Sequence, residues 1–354
     1  MANCWPGATD AQRAVADLVG VRGESLVQGR VALMLEACYR RLLTPHTRNR
    51  VTIVNYHQVL AQPDPMRPDE ITADLFRRLM GWVARNFHTL TLSDAMQQLA
   101  DNALPERTLV ITFDDGYRDN HSVALPILQQ LGLRATFFIA SDYLDGGLMW
   151  NDQVIEALRR ADRRPDLQHL GLSAPSATDG SARQQFAYRV RDRIKHLPPA
   201  QRQQEVARIC AELRLPTDVM LSSDQVIALH RAGMEIGGHT CSHPILSTLD
   251  DAQIETEISV NKRCLENLLQ APLRAFAYPN GKPDADYDRR AVDAVRAAGY
   301  EYAVTTCPGV AGVASAPLQL PRFTPWRRSR AGFLAQLYRN YTRPESAAGV
   351  ACQG

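Results

Sequence analysis

Two stretches of the sequence carry side chains whose types and spacing suit metal-assisted chemistry. In the first, Asp114 and Asp115 follow a short run rich in β-branched residues and precede Gly116. Such a run predicts a buried strand, and a glycine at its end lets the chain turn so that both carboxylates reach one pocket. Adjacent carboxylates repel each other, so a nearby cation would explain the pair, with one Asp as ligand and the other as base. A solvated turn is the alternative.

The second stretch contains His239 and His243, preceded by two glycines and followed by Pro244. The glycines and the proline argue against a helix, so the two histidines are expected in a loop after a strand, where they can bind one metal ion. The alternative is a pair of packed core histidines. Together with an aspartate from the first stretch, they would form a three-ligand site with an open position. This combination predicts metal-assisted hydrolysis.

The composition sets the limits within which these residues must work. A chain of 354 residues with 45% hydrophobic and 22% charged residues can bury the core of a large α/β domain. The formal net charge of +2 gives no indication of nucleic-acid binding. The seven cysteines are scattered without a CxxC pair, which argues against a disulfide framework and a cysteine zinc site.

The expected location is cytoplasmic. Residues 1–29 contain no basic region followed by an apolar core, so no cleavable secretion signal is predicted. No apolar stretch approaches the ~20 residues that span a bilayer. The helix predicted at 31–43 carries arginines, which would suit weak association with the inner membrane face, whereas packing on its own domain is the alternative.

Strand patterns alternate with helix patterns along most of the chain, and the alternation predicts parallel strands joined by helices. Ser93 is predicted to cap one helix, and Ser222 with Gln225 has the spacing of a capping box on another. The predicted fold is an α/β distorted (β/α) barrel of seven or eight parallel strands. The predicted strands are 51–57, 87–92, 109–111, 134–140, 234–236, 274–278, 302–305 and 318–320.

The same patterns predict three parts of the chain: a helical extension over 1–48, the barrel over 49–330, and a helix with a tail over 331–354. Polar, arginine-rich helix interrupts the barrel at about 161–220. This insertion is expected to lie over the domain, either as a lid on the site or as a surface decoration.

The two chemical stretches resemble the first two motifs of the polysaccharide deacetylase family, also called NodB-like carbohydrate esterases. The resemblance covers about residues 50–325 and includes motif order, spacing and strand-end context. It implies that Asp114 is the general base and that Asp115, His239 and His243 bind a divalent metal ion. Two imidazoles and a carboxylate favour zinc, and nickel, cobalt or iron would also suit these ligands.

The third family motif is usually Arg-x-Pro-x-Gly, and here Pro279 and Gly281 are present without the arginine. Arg274, on the same predicted strand, or Arg322, after the last one, would have to hold the base carboxylate instead. We favour Arg322; a surface ion pair is the alternative for either. The N–H of Asn280 matches the position that helps to stabilise the oxyanion in the family.

The histidine of the last family motif, which protonates the leaving amine, is also missing. His57 ends the first predicted strand, which in a closed barrel is adjacent to the last one. This strand resembles the entry strand of poly-N-acetylglucosamine deacetylases, in which such a histidine is the acid. The hypothesis is that His57 is the general acid; a structural histidine is the alternative. Trp150 is a candidate substrate-binding residue, because its ring can stack on a sugar; a packed indole beside a capping Asn or Asp is the alternative. Tyr278, which precedes Pro279, is a further candidate for binding the substrate.

The predicted function is metal-dependent removal of an N-acetyl or related N-acyl group from an amino sugar. The substrate would be a polysaccharide, an oligosaccharide or a glycan precursor, and a cytoplasmic location favours a precursor in exopolysaccharide assembly. One alternative is an amidase acting on a polyamine or an imide. Another is a catalytically silent glycan-binding module. The oligomeric state is not predicted.

Overall fold

The structure is a computed structural model that describes residues 36–160, 167–173, 180–195, 197–211 and 213–343. The strands are β1 (Arg50–Tyr56), β2 (Val59–Leu60), β3 (Ile71–Thr72), β4 (His88–Leu90), β5 (Thr108–Phe113), β6 (Thr136–Ile139), β7 (Glu235–Gly238), β8 (Ala275–Ala277), β9 (Tyr302–Val304) and β10 (Ala311–Gly312). The central feature is a curled sheet in which β1 and β4 to β9 run parallel, whereas β10 pairs antiparallel with β1.

A short connecting segment closes this sheet. The strand order is β10-β1-β5-β6-β7-β8-β9, with β4 also paired to β5. Between β9 and β1, the N–H of Thr305 donates to Leu320 O at 2.9 Å and the N–H of Asn55 donates to Phe323 O at 3.0 Å. Residues 320–323 therefore bridge the two sides of the sheet. The predicted α/β fold, a distorted barrel of parallel strands, is confirmed.

The prediction of a last strand at 318–320 is wrong in detail. Pro317–Gln319 forms a 3₁₀ turn, and only Leu320 and Phe323 make isolated bridges to the neighbouring strands. Pro317 and Pro321 have no N–H group to donate to a ladder, so a regular strand cannot form here. The sheet closes through single bridges instead.

Helices cover the outer face of the sheet. Thr91, rather than the predicted Ser93, caps the helix Leu92–Ala100 (α2), because its side chain accepts from the N–H of Asp94. The predicted capping box of Ser222 and Gln225 is present at the helix Ser223–Arg231 (α7). The helices are α1 (Ala73–Asn86), α2 (Leu92–Ala100), α3 (Leu125–Gln130), α4 (Trp150–Arg160), α5 (Gly180–Lys195), α6 (Pro199–Cys210), α7 (Ser223–Arg231), α8 (Asp251–Leu269), α9 (Arg289–Ala297) and α10 (Arg330–Tyr341).

Side chains on the strands divide between the barrel interior and the layer under the helices. Every residue of β5 is buried, as expected for a parallel strand that is covered on both faces. On β8, Ala275 and Ala277 belong to an inner cluster, whereas Phe276 and the following Tyr278 pack in the outer cluster with the helices. This alternation decides which strand-end residues can reach a site at the barrel mouth.

The described part of the N-terminal extension packs on the barrel. Residues 36–43 are helical, Leu43 is fully buried, and the buried Glu36 forms ion pairs with Arg85 and Arg330 at 3.2 and 2.7 Å. These contacts join the segment to α1 and α10. Its association with a membrane surface stays a prediction.

The insertion has a small apolar cluster that it shares with α4. Val154 and Leu158 of α4 pack with Phe186 and Val190 of α5 and with Val206 of α6. The insertion therefore rests on the barrel through α4. The domain boundaries and the role as a lid stay predictions.

In the parts of the chain that the structure describes, no helix combines the length and apolar character needed to cross a membrane.

Cys38, Cys210, Cys241 and Cys264 are free thiols. Cys307 is disulfide-bonded, although the scattered cysteines argued against a disulfide framework.

Candidate active site

Asp114 and Asp115 lie in a sharp turn at the carboxyl end of β5. The N–H of Asp114 donates to the Tyr56 carbonyl of β1 at 3.0 Å, and Asp115 and Gly116 then have φ values of +75° and +87°. This left-handed backbone bends the chain away from the strand, so the two side chains do not point to opposite faces as they would on a regular strand. Both aspartates are buried, which excludes the solvated turn.

Asp115, His239 and His243 converge at the barrel mouth. Oδ1 of Asp115 lies 3.3 Å from Nε2 of His239 and 3.4 Å from Nε2 of His243. This buried oxygen accepts no hydrogen bond from the residues that the structure describes. An unpaired buried carboxylate oxygen is costly, and a bound cation would satisfy it.

The spacing of these atoms fits a metal ion. Three donor atoms, one from each residue, lie within 4.8 Å of one another. Two atoms bound tetrahedrally at about 2.0–2.1 Å from a zinc ion are about 3.3–3.4 Å apart. The two Asp115–histidine separations of 3.3 and 3.4 Å match that value.

The protein also orients the imidazoles for this role. Nδ1 of His239 donates to the Ala277 carbonyl at 2.7 Å, which leaves the Nε2 lone pair directed at Asp115. The backbone of His243 is left-handed, with φ of +54°, and its N–H donates to Thr240 Oγ1 at 3.1 Å. Burial lowers the pKa of His243 to about 4, so this ring is neutral at pH 7, as a metal ligand must be.

Arg322 binds the other carboxylate. Its Nη1 and Nη2 donate to Oδ1 and Oδ2 of Asp114 at 2.7 and 2.6 Å, and its Nε donates to Thr305 O at 2.8 Å. The arginine is fully buried. The closing segment between β9 and β1 places it here, beside the carboxyl end of β5. A bidentate pair of this kind fixes both the charge and the orientation of Asp114.

Two polar residues that sequence analysis missed complete the surroundings of Asp114. Asn55 Nδ2 donates to Asp114 Oδ2 at 3.2 Å, while Arg322 Nη1 donates to Asn55 Oδ1 at 3.1 Å and to Thr112 Oγ1 at 3.2 Å. Burial alone would raise the pKa of Asp114, but the Arg322 charge and hydrogen bonds hold it below its usual value. The signal that could have identified Asn55 from the sequence is a polar asparagine within an otherwise apolar predicted strand.

Arg274 does not lie at the site. It precedes β8, at the amino end of the barrel, and its guanidinium pairs with Glu301 at 2.7 Å. Asp114 follows the carboxyl end of β5, so parallel strands separate the two by the length of the sheet. Of the two candidate arginines, only Arg322 contacts the aspartate.

His57 follows β1 and is half-buried. Its carbonyl accepts from Asn120 Nδ2 at 2.8 Å, which fixes the backbone at this strand end. The carbonyl of the preceding Tyr56 accepts from the N–H of Asp114 at 3.0 Å, so the strand end that carries His57 adjoins the turn of the two aspartates. The structure therefore brings His57 to the site, and its role as the acid stays a prediction.

The candidates after β8 have different positions. Asn280 has a left-handed backbone with φ of +58°, and its N–H donates to no residue in the described ranges. Tyr278 is fully buried in the outer layer, its hydroxyl donates to Leu318 O at 3.0 Å, and its ring stacks on Tyr287. Tyr278 cannot present its side chain to a substrate, because strand alternation directs it away from the barrel interior.

Trp150 begins α4 and packs against the insertion. The Arg202 guanidinium lies 5.1 Å from the centre of its ring. This contact occupies a face of the indole that was expected to stack on a sugar. The neighbouring Asp152 is buried and accepts from Tyr117 Oη at 2.9 Å and Arg67 Nη2 at 2.8 Å, which joins the Asp115 turn to α4.

The sequence is similar to those of known polysaccharide deacetylases. The family model described as polysaccharide deacetylase matches residues 101–303. YxkH of Bacillus subtilis (strain 168), which carries the name of a polysaccharide deacetylase, is 24% identical over 238 residues. That match covers 67% of this chain and 58% of YxkH, so the chain spans about three-fifths of the length of its relative.

Two solved structures share the fold. The Streptococcus pyogenes deacetylase PplD in complex with acetate is 20% identical to this chain, with a TM-score of 0.56. The match covers 84% of this chain and 100% of PplD. IcaB from Ammonifex degensii is 16% identical with a TM-score of 0.55, covering 84% of this chain and 99% of IcaB. Because the family model matches more than half of the sequence, the chain belongs to the polysaccharide deacetylase family.

Proposed function

We propose that this protein is a hydrolase that removes an N-acetyl or related N-acyl group from an amino sugar in a glycan or a glycan precursor. One observation carries the proposal. The carboxylate of Asp114, held by Arg322, lies next to three residues whose donor atoms have the spacing of a metal site. Family membership supports deacetylation of sugar polymers as the reaction class.

Asp115, His239 and His243 would hold a divalent ion, and zinc suits this ligand set best. Bound there, such an ion supplies Lewis acidity that polarises the acyl carbonyl and lowers the pKa of water.

Asp114 is the proposed base. It accepts a proton from the water that attacks the acyl carbon, and Arg322 keeps the carboxylate ionised and aimed before the reaction. The N–H of Asn280 would donate to the oxygen that becomes negative as the attack proceeds. His57 would then protonate the nitrogen of the departing amine, which cannot leave as an anion.

The deciding experiment measures acetate release from a panel of acetylated substrates. We expect the purified protein to release acetate from N-acetylated oligosaccharides and not from acetylated polyamines, and to leave cyclic imides unopened. Release only from a polyamine, or opening of an imide, would replace the proposal by a non-sugar amidase. A metal-loaded protein that binds glycans without any turnover would show a silent binding module.

His57→Gln tests the acid. We expect kcat for N-acetyl removal to fall about 10²-fold, because the amine would depart without a positioned proton donor. His121→Gln is the matched control, since His121 lies on the short helical segment Asn120–Ala124 after the Asp114–Asp115 turn and has no proposed role. Near-normal turnover in His57→Gln at its pH optimum would show that another group protonates the amine.

A further inference from the structure

One large apolar side chain stands exposed next to the proposed site. Trp326 is 68% exposed and follows the segment that closes the barrel. That segment runs parallel to β1 and bridges it at Phe323, so the chain continues past the carboxyl end of β1, where His57 also lies. Trp326 therefore belongs to the rim of the barrel mouth.

Contacts on both sides hold this part of the rim. The Arg328 guanidinium donates to the Pro68 carbonyl, and the N–H of Arg327 donates to Gln336 Oε1 of α10 at 3.0 Å. Trp326 precedes these two anchors directly, and Pro325 before it restricts the backbone. The indole is thus presented to solvent from a tethered loop, which lowers the entropy lost when a ligand stacks on it.

The position of Trp326 also sets an upper limit on its distance from the site. Trp326 lies four positions after Arg322, whose guanidinium binds Asp114, so the Cα atoms of the two residues are at most about 14 Å apart. A short oligosaccharide can span that distance. A chain whose N-acetyl group lies beside Asp114 can therefore extend over Trp326.

A membrane contact is the other use of an exposed tryptophan, and the distribution of apolar residues argues against it. Val313 follows β10, whose Gly312 pairs with Arg50 at the start of β1, so Val313 lies at the amino end of the barrel. Leu42 also lies on that side, just before β1. Within the described ranges, the exposed apolar residues are spread over opposite ends and form no single patch around Trp326.

We propose that Trp326, with the exposed Arg327 beside it, is a subsite that binds a sugar ring of the polymer next to the one that reacts. The ring stacks on the indole, and the guanidinium donates to sugar hydroxyl groups. This inference rests on the proposed function and makes it more specific: the substrate is a glycan chain rather than a single amino sugar.

Trp326→Ala tests the subsite by comparing substrates of different length. We expect the ratio of kcat/KM for a pentamer of N-acetylglucosamine to that for the monosaccharide to fall about tenfold, and Trp326→Tyr to restore most of it. Val313→Ala is the matched control, because Val313 is 67% exposed at the other end of the barrel, and its ratio should equal that of the unchanged protein. An unaltered ratio in Trp326→Ala would overturn the inference.

A binding measurement separates this inference from the proposed function. We expect isothermal titration calorimetry to give a Kd for the pentamer about tenfold higher in Asp114→Asn with Trp326→Ala than in Asp114→Asn alone. If the unchanged protein releases no acetate, the proposed function fails, whereas this pair of Kd values still decides the subsite. If Trp326→Ala loses binding to anionic phospholipid vesicles and leaves the pentamer Kd unaltered, the residue contacts a membrane and the subsite is refuted.

Discussion

Arg322→Met should lower the free energy of unfolding by about 3–5 kcal/mol and kcat/KM by about 10²-fold. The substitution removes both hydrogen bonds to Asp114 and leaves a buried carboxylate without its cation. The remaining donor, Asn55, is neutral and cannot replace the charge. Methionine has a similar volume, so the loss reports on the charge rather than on a cavity.

Arg274→Met is the matched control. The same change of residue type at Arg274 removes an exposed pair with Glu301, which contributes about 0–1 kcal/mol. Denaturant unfolding followed by circular dichroism gives the stability of both variants, and acetate release gives their turnover. Arg322→Lys adds a test of geometry, because an ammonium group keeps the charge without the bidentate contact and should recover only part of the activity. Equal losses in Arg322→Met and Arg274→Met would refute the assigned partner of Asp114.

Asp114→Asn should lower kcat by about 10²–10⁴-fold and leave the metal content of the protein near one ion per chain. Asparagine keeps the size of the side chain but cannot accept the proton of the attacking water. The three proposed ligands, Asp115, His239 and His243, are unaltered, so the ion should remain bound.

The neighbouring substitution Asp115→Asn should also abolish turnover, but through loss of the metal ion. It weakens one of three ligands, so we expect the purified protein to lose its metal and, with it, its turnover. Atomic emission measures the ion in each variant after dialysis against a weak chelator, and thermal unfolding shows that both are folded. Metal loss in Asp114→Asn, or a full ion with normal turnover in Asp115→Asn, would reverse the two assignments.

Much of the fold was predictable because local patterns and tertiary packing agree. The run before Asp114 is apolar on both faces, and β5 is accordingly buried on both. The Ser222 capping box starts α7 as its spacing predicts. The prediction that Ser93 caps α2 was wrong, because Ser93 donates to Glu235 instead. Glu235 is distant in sequence, and only packing brings it to α2.

The sequence by itself determined the chemical groups, their order and the strand ends that carry them, because Asp114, Asp115, His239 and His243 occur in two short motifs. Which of the residues dispersed along the chain reach the site was decided only by the tertiary structure. Arg274 and Arg322 were both candidates, and the direction of the parallel strands removes Arg274 to the amino end, whereas barrel closure carries Arg322 to Asp114.

The same reasoning applies to the aromatic candidates. Alternation along β8 buries Tyr278 in the outer layer, and packing of the insertion covers Trp150 with Arg202. Trp326, far from both motifs in sequence, reaches the rim because the closing segment passes the mouth of the barrel. A motif specifies neighbours along the chain, but only a closed sheet determines which distant side chains share one end of it.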